Sequence, residues 1–467
     1  MVELFSKKTV YSIPSQALRN VLGIEYLFTA EKAIPERGHS MRSPIMLPQF
    51  YEDKLVDQQI TGIRWTLGQA LNSPQYRAKL EGINPNDIRT FDDVRKLPFT
   101  TVEDLREGYP MPLCCVPESQ VIRIHASSGT TGKRKILCYT RKDVETFNLQ
   151  MARCFTLAGL TPLDRLQVAV GYGLWTAGAG FQLGSERMDM LTVPVGPGNL
   201  EMHLQLLQDM GSTCLGATAS MALLMAEEVE RHGLRSKLKL RKVICGAETR
   251  SEKMRQAIEQ KLGLEGSYDI AGMTEMYGPG TAIDCDAHEG LHYWADLFYI
   301  EIVNPETLQP VPDGEVGEMV VTSLLKQATP LVRYRTHDLT RLIPGQCSCG
   351  RRIPRHDKIL GRSDDMIIFR GVNIYPGQIM DVIGQFPELG GEYQVELTRD
   401  ENALDHMRLK VERHESAHAL NDANLANAVA QRMHKALMAR VDVSVCDPGV
   451  LPRTFGKSKR VTDNRNL

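Results

Sequence analysis

The chain lacks an excess of either charge. Lys and Arg number 55 and Asp and Glu 57 in 467 residues, a net charge of −2. Nucleic-acid-binding proteins usually carry a basic surplus, so no nucleic-acid partner is expected. A long apolar run is also missing. The longest uncharged stretch, "QVAVGYGLWTAGAGFQLGS" at 167–185, is rich in glycine and polar at both ends. It reads as a buried strand and loop rather than a membrane span, so no membrane partner is expected. The opening "MVELFSKKTVYSIPSQ" has no apolar core followed by a small-residue cleavage site, and no signal peptide is expected. Nor is there a disulfide framework. The ten cysteines are scattered, often inside apolar strings such as "STCLGAT" (Cys214) and "KVICGAE" (Cys245), which is the usage of a reducing cytoplasm. Internal repeats and low-complexity segments are absent too. What remains is an ordinary globular composition, 42% hydrophobic and 24% charged, long enough for two or three domains.

One further absence sharpens the reading. "SSGTTGK" at 127–133 looks like a phosphate loop, but its two glycines stand two residues apart rather than four. Arg134 occupies the place where a Ser or Thr should follow the lysine. This is therefore not the G-x-x-x-x-G-K-[ST] loop of the P-loop NTPases. It still has the parts of an anion nest: backbone N–H groups in a Gly/Ser/Thr turn, with Gly129 and Gly132 free to adopt positive φ and Lys133 as a point charge.

Residues 1–120 read as a mostly helical lead-in. From about 121, strands ("VIRIHA", "LQVAV", "STCLGAT", "LRKVIC") alternate with helical runs, such as the stripe of Val144, Phe147, Met151, Cys154 and Phe155. That alternation predicts an α/β fold with a parallel sheet flanked by helices on both faces. After 290, "LFYIEIV" and "GEVGEMVVT" suggest a smaller β subdomain. Past "LGRSDDM" at 360–366, the pattern is that of a compact α+β domain of about 100 residues. The expected division is a large domain at 1–361 and a small one at 362–467.

Four pieces follow the opening loop in order: "CGAE" at 245–248, "GMTE" at 272–275, "YRTHD" at 334–338 and "GRSDDMIIFRGVNIYP" at 361–376. "LPRTFGKSKR" at 451–460 comes last. Together they resemble the core motifs of the acyl-adenylate-forming superfamily, and "HASSGTTGK" with "RGVN-x-x-P" resembles its phenylacetate–CoA ligase branch. The resemblance spans roughly residues 40–465. It implies an AMP-forming carboxylate–CoA ligase: ATP and Mg²⁺ convert an acid to an acyl-AMP anhydride, and the thiol of CoA then displaces AMP. A homodimer would fit the family as well.

The resemblance also implies roles. Ser127, Ser128, Gly129, Thr130, Thr131, Gly132 and Lys133 would grip the ATP phosphates. Gly246, Ala247, Glu248, Ala271, Gly272 and Met273 would line the nucleotide. Thr274 and Glu275 match the threonine–glutamate pair, with Glu275 as the Mg²⁺ ligand, since hard cations favour carboxylate and phosphate oxygens. Asp338 would hold the ribose hydroxyls, and Arg362 stands beside the nucleotide. Lys457 matches the late catalytic lysine that neutralises the pentavalent transition state. Arg362, Ser363 and Asp364 fall at the domain junction, with Asp364 as the hinge about which the small domain rotates between half-reactions. Arg370, Gly371 and Asn373 are candidates for the CoA approach. Two departures stand out. Ala271 replaces an aromatic that stacks on adenine, for which Tyr277 or Tyr268 could compensate, and His337 replaces a glycine before Asp338.

Cys347 and Cys349 form a close pair, and Cys285 and His292 lie upstream in "DCDAHEGLH". Cys₃His is a legitimate structural zinc set, with His288 as a rival ligand and unpaired cysteines as the alternative. Tyr172, Trp175, Ala179, Ala247 and Met273 are candidate acyl-pocket walls, and an apolar pocket suits an aryl-acetate-like acid. Trp175 would shorten that pocket and Tyr172 could bond a 2-hydroxyl, so a small branched or 2-hydroxy acid such as 2-hydroxyisobutyrate is a rival. Adenylyl transfer to a deazaflavin, or the loading of a carrier protein, would keep the same activation step with another acceptor.

Overall fold

The computed structural model describes residues 45–465 apart from 128–132, 249, 364–366, 370–371, 375, 401–403, 418, 438 and 453–459. Helix α1 (Glu52–Ala70) leads in. Strands β1 (Arg123–Ser127) and β2 (Lys135–Tyr139) form an antiparallel hairpin whose connection is the phosphate-loop motif. Helix α2 (Arg141–Leu157) follows, started by a capping box in which Thr140 and Asp143 satisfy each other's backbone N–H. Next come β3 (Arg165–Val168), α3 (Ala177–Arg187), β4 (Leu191–Val193), α4 (Leu200–Asp209), β5 (Cys214–Thr218), α5 (Ala219–Arg231), β6 (Lys242–Gly246), α6 (Glu252–Leu262) and β7 (Gly266–Met273).

Strands β3 to β7 lie parallel in the order β4-β3-β5-β6-β7. Alternate residues serve opposite faces, as the pleat requires. Leu166, Val168, Cys214 and Ile244 share one cluster with Phe147, Met151, Phe155 and Phe181 from α2 and α3. Leu215, Ala217, Val243 and Cys245 share another with Leu204, Met225, Val229 and Ile258 from α4, α5 and α6. The α/β layering matches the expectation, but the sheet continues further than the strand–helix alternation announces. Antiparallel strands β8 (Gly278–Ile283) and β9 (Leu291–Tyr293) extend it beyond β7.

A second, wholly antiparallel sheet is built from β10 (Phe298–Val303), β11 (Gly317–Ser323) and β12 (Tyr334–Thr340). The chain then returns to the large sheet through β13 (Leu342–Ile343) and β14 (Arg355–His356), which complete its nine strands. Strand β15 (Gly361–Arg362) pairs with β12, placing Arg362 opposite Asp338.

The remaining chain has its own core. It comprises the ribbon β16 (Ile367–Phe369) and β17 (Val372–Ile374), helix α7 (Pro376–Ile383), β18 (Leu389–Arg399), β19 (Asp405–Arg413), helix α8 (Asp422–Leu437), β20 (Asp442–Cys446) and β21 (Val461–Asp463). Leu425, Val429, Met433 and Leu437 of α8 belong to one core cluster with Val395 and Leu397 of β18 and Leu409 and Val411 of β19. No helix among the described residues is long and apolar enough to cross a membrane.

Candidate active site

The centre of the site is the single turn of 3₁₀ helix Thr274–Met276, which follows β7 directly. Its approach demands glycine at 272: a Cβ there would sit 2.1 Å from the Gly278 carbonyl oxygen, where β8 folds back on β7. Two carbonyls of the turn are pinned from below. The Tyr139 hydroxyl donates to the Thr274 oxygen (3.0 Å) and the Lys326 ammonium to the Glu275 oxygen (2.7 Å). Lys326 is completely buried, with its Nζ 4.9 and 5.1 Å from the ring centres of Tyr139 and Tyr277. Burial lowers its pKa to about 8, against the opposing pull of Asp143 and Glu275. Asp143 in turn accepts the N–H groups of Gln327 (2.7 Å) and Ala328 (2.9 Å), tying the start of α2 to the segment that carries the lysine.

The Glu275 side chain is only 5% exposed and forms an ion pair with Lys135 of β2. Tyr334 of β12 donates its hydroxyl to the same oxygen, Oε1, at 3.2 Å. Burial alone would raise the carboxyl, but Lys135 and these hydrogen bonds hold it below the usual range. Oε2 accepts from no described side chain. A fixed, ionised carboxylate fits a hard divalent cation. Lys135, Tyr334 and Lys326 carry no signal of this role in the sequence. Each comes from a different segment, and only "YRTHD", which opens with Tyr334, lies inside a motif.

Strand β12 places Asp338 beyond Tyr334. Asp338 Oδ1 accepts from Arg362 Nη1 at 2.9 Å. His337 adopts φ +64°, the left-handed region that a glycine would occupy without strain, and its Nδ1 lies 3.0 Å from the Ser363 hydroxyl. Ser363 also donates its N–H to the His337 oxygen (2.7 Å) and its hydroxyl to Glu318 (3.2 Å), so the junction is stitched to β12 up to Ser363.

In "CGAE", Gly246 ends β6, Ala247 is exposed at φ +70°, and Glu248 accepts from the Ser220 N–H and hydroxyl at 2.9 and 2.7 Å. Ala271 and Met273 are half-buried and Gly272 is exposed. Tyr268 and Tyr277 are not available as adenine platforms. Both are 1% exposed: Tyr268 donates to Asp286 (2.6 Å), and Tyr277 packs near Tyr139 and Phe298.

Ser127 ends β1, with its hydroxyl buried and unpartnered among the described residues, and Lys133 is exposed over the Tyr109 ring. Ser128, Gly129, Thr130, Thr131, Gly132, Asp364, Arg370, Gly371 and Lys457 lie outside the described residues. Of Asn373, only the backbone on β17 is described.

The expected acyl wall sits next to β1. The Leu174 carbonyl accepts from both the Ala126 N–H (2.9 Å) and His125 Nδ1 (3.2 Å), which couples the phosphate-loop strand to the "GYGLWTAG" loop. Trp175 folds over Gly171 and Tyr172 over Gly178, so closely that a Cβ on either glycine would collide with the ring. Tyr172, Trp175, Ala179, Ala271 and Met273 all pack half-buried on the same core. The Tyr172 hydroxyl is buried without a partner among the described residues.

The four sulfur and nitrogen donors do meet. The ligand atoms of Cys285, His292, Cys347 and Cys349 lie within 4.8 Å of one another. Cys285 Sγ is 3.7 Å from Cys347 Sγ, and Cys349 Sγ is 3.5 Å from His292 Nε2. His292 donates its Nδ1–H to the Ile353 carbonyl at 2.9 Å, leaving Nε2 to face the thiols. His288, the rival, is 2.8 Å from Asp284 and 3.3 Å from Arg255 instead.

Comparisons with known proteins agree with this layout. A family model described as AMP-binding enzyme matches residues 69–324, and one described as AMP-binding enzyme C-terminal domain matches 371–465. The phenylacetate-coenzyme A ligase of Escherichia coli is 42% identical over 424 residues, covering 89% of this chain and 96% of its own. That of Thermus thermophilus is 39% identical, covering 84% and 92%. The structure of 2-hydroxyisobutyryl-CoA ligase in the postadenylation state with 2-HIB-AMP superimposes with a TM-score of 0.82, at 28% identity over 89% of this chain and 91% of that one. The same ligase with CoA in the thioesterification state gives 0.65 at 28% identity, over 90% and 91%.

Proposed function

Since the chain belongs to the AMP-binding enzyme family and is an AMP-forming acid–CoA ligase, we propose that its acid is aryl-acetate-like, with phenylacetate as the first candidate. The observation that supports this most is the 42% identity running through 89% of the chain to a phenylacetate-coenzyme A ligase. The half-buried, largely apolar wall of Trp175, Ala179 and Met273 suits a flat apolar acid. CoA as acceptor sets aside deazaflavin adenylylation and carrier-protein loading.

In the first half-reaction the acid's carboxylate attacks the α-phosphorus of ATP and pyrophosphate departs. Residues 127–133 hold the leaving phosphates, Asp338 the ribose, and Gly246–Glu248 with Ala271–Met273 the nucleotide edge. Glu275 would hold Mg²⁺, which would supply positive charge against the phosphates. Lys457 draws the substrate carboxylate and α-phosphate together. In the second half-reaction the small domain, taken as 362–467, turns about Asp364. Lys457 withdraws, and Arg370, Gly371 and Asn373 line the path by which the CoA thiolate reaches the acyl carbon and expels AMP. Cys285, His292, Cys347 and Cys349 would hold a structural zinc, for which a closed Cys₃His set is suited. Ten free cysteines suit a reducing cytoplasm, and homodimerisation belongs to the same reading.

The test is pyrophosphate release with ATP, Mg²⁺, CoA and a panel of acids: phenylacetate, benzoate, isobutyrate and 2-hydroxyisobutyrate. Fastest turnover is expected with phenylacetate. Turnover confined to the small branched acids would overturn the aryl assignment and show that Trp175 closes the pocket.

A further inference from the structure

The small domain is held over the large one by an interaction that no catalytic motif supplies. Lys253, in the first turn of α6, donates its ammonium to three main-chain carbonyls of the small domain: Phe386 (2.9 Å), Pro387 (3.1 Å) and Leu389. These carbonyls lie in the turn between α7 and β18 and at the first residue of β18. The neighbouring residue, Met254, is buried and packs at Gly391. Helix α6 begins just after "CGAE", at the edge where the parallel strands end and nucleotide sites of open α/β sheets form. An ammonium half-withdrawn from water is costly unless its hydrogens are taken up, and here three acceptors converge on it. A more exposed pair, Lys358 and Asp381 (3.4 Å), bridges the same two units.

We propose that Lys253 is a positioning residue for adenylation. It latches the α7–β18 turn and so holds the small domain in the pose of the first half-reaction, and it must let go before thioester formation. The inference rests on the reaction assigned above. The pose is the one that superimposes better on a relative's postadenylation complex than on its thioesterification complex. A rotation of the small domain would carry all three carbonyls away together, so the latch distinguishes one pose from the other.

Lys253→Gln removes the charge and most of the donors from a half-exposed helix start, where stability should be little affected. Acyl-adenylate formation without CoA, read as pyrophosphate release, should fall roughly tenfold, as the loss of charge-assisted bonds from one pose predicts. Thioester formation from supplied acyl-adenylate and CoA should hold or rise. Lys253→Arg, which keeps the charge, should recover much of the first rate. Hydrogen exchange of the amides in 384–391 should quicken in Lys253→Gln. Unchanged exchange overturns the latch whatever acid the enzyme uses. A parallel fall of both half-reactions overturns the pose-specific role. Failure of the wild-type protein to release pyrophosphate with any acid would instead count against the assigned reaction, and the exchange measurement would still decide the latch.

Discussion

The two halves of the nine-stranded sheet solve opposite problems. At the end of β7, around Glu275, charge is buried and kept usable. Lys135 and Tyr334 hold one carboxylate oxygen, while Lys326 fixes the turn from behind. On the antiparallel side, three thiols and an imidazole from the β8–β9 hairpin and the loop joining β13 to β14 bring their donor atoms within 4.8 Å of one another. The first arrangement is the one expected of the proposed exchangeable cation. The second brings its donors together from two hairpins, as the proposed structural zinc would require. The donor chemistry differs accordingly: a carboxylate oxygen at one region suits a hard cation, and thiols with an imidazole at the other suit a softer one.

The contrast predicts that disturbing one region should cost activity and disturbing the other should cost stability. The largest effect is expected for Glu275→Gln. Adenylation should fall on the order of a thousandfold, in line with loss of a preorganised electrostatic group, while thioester formation from supplied acyl-adenylate survives. Equal loss in both steps would mean that the carboxylate is structural. At the other region, purified protein should carry one zinc per chain, and chelation should lower the melting temperature by several degrees, since metal binding is coupled to folding. The folded fraction should remain active at moderate temperature. A metal-free protein of unchanged stability and activity would remove the zinc.

A smaller effect should come from Lys326. Its ammonium is lowered to about 8 by burial, so its charge is present at neutral pH and lost as pH rises through that value. Adenylation should therefore decline above about pH 8, measured apart from CoA so that thiol ionisation does not intrude. Lys326→Met should flatten that limb and lower the plateau roughly tenfold, because the Glu275 carbonyl loses its donor. A pH profile identical to that of the wild type would show that Lys326 acts only as packing.

Much of the fold and the order of the site could be read from the chain. Strands "VIRIHA", "STCLGAT" and "LRKVIC", the helix stripes and the compact C-terminal unit fall where periodicity places them, because amphipathic spacing is local. The cysteine and histidine set was legible for a similar reason: donors grouped in two short clusters need only one fold contact to meet. The motif "GMTE" marked the turn. The geometry of its glycine, pressed against the Gly278 carbonyl, explains why no side chain fits there.

Strand–helix alternation determined the α/β class, and the order of the motifs determined the adenylating chemistry. The tertiary structure decided the partners. Lys135, Lys326 and Tyr334 converge on Glu275 from segments up to 140 residues away, and no local pattern encodes such distances. It also removed Tyr268 and Tyr277 from the nucleotide site by burying both rings, and it chose His292 over His288 as the fourth donor. Side-chain type is written residue by residue, but burial and pairing arise only when distant strands are brought into register.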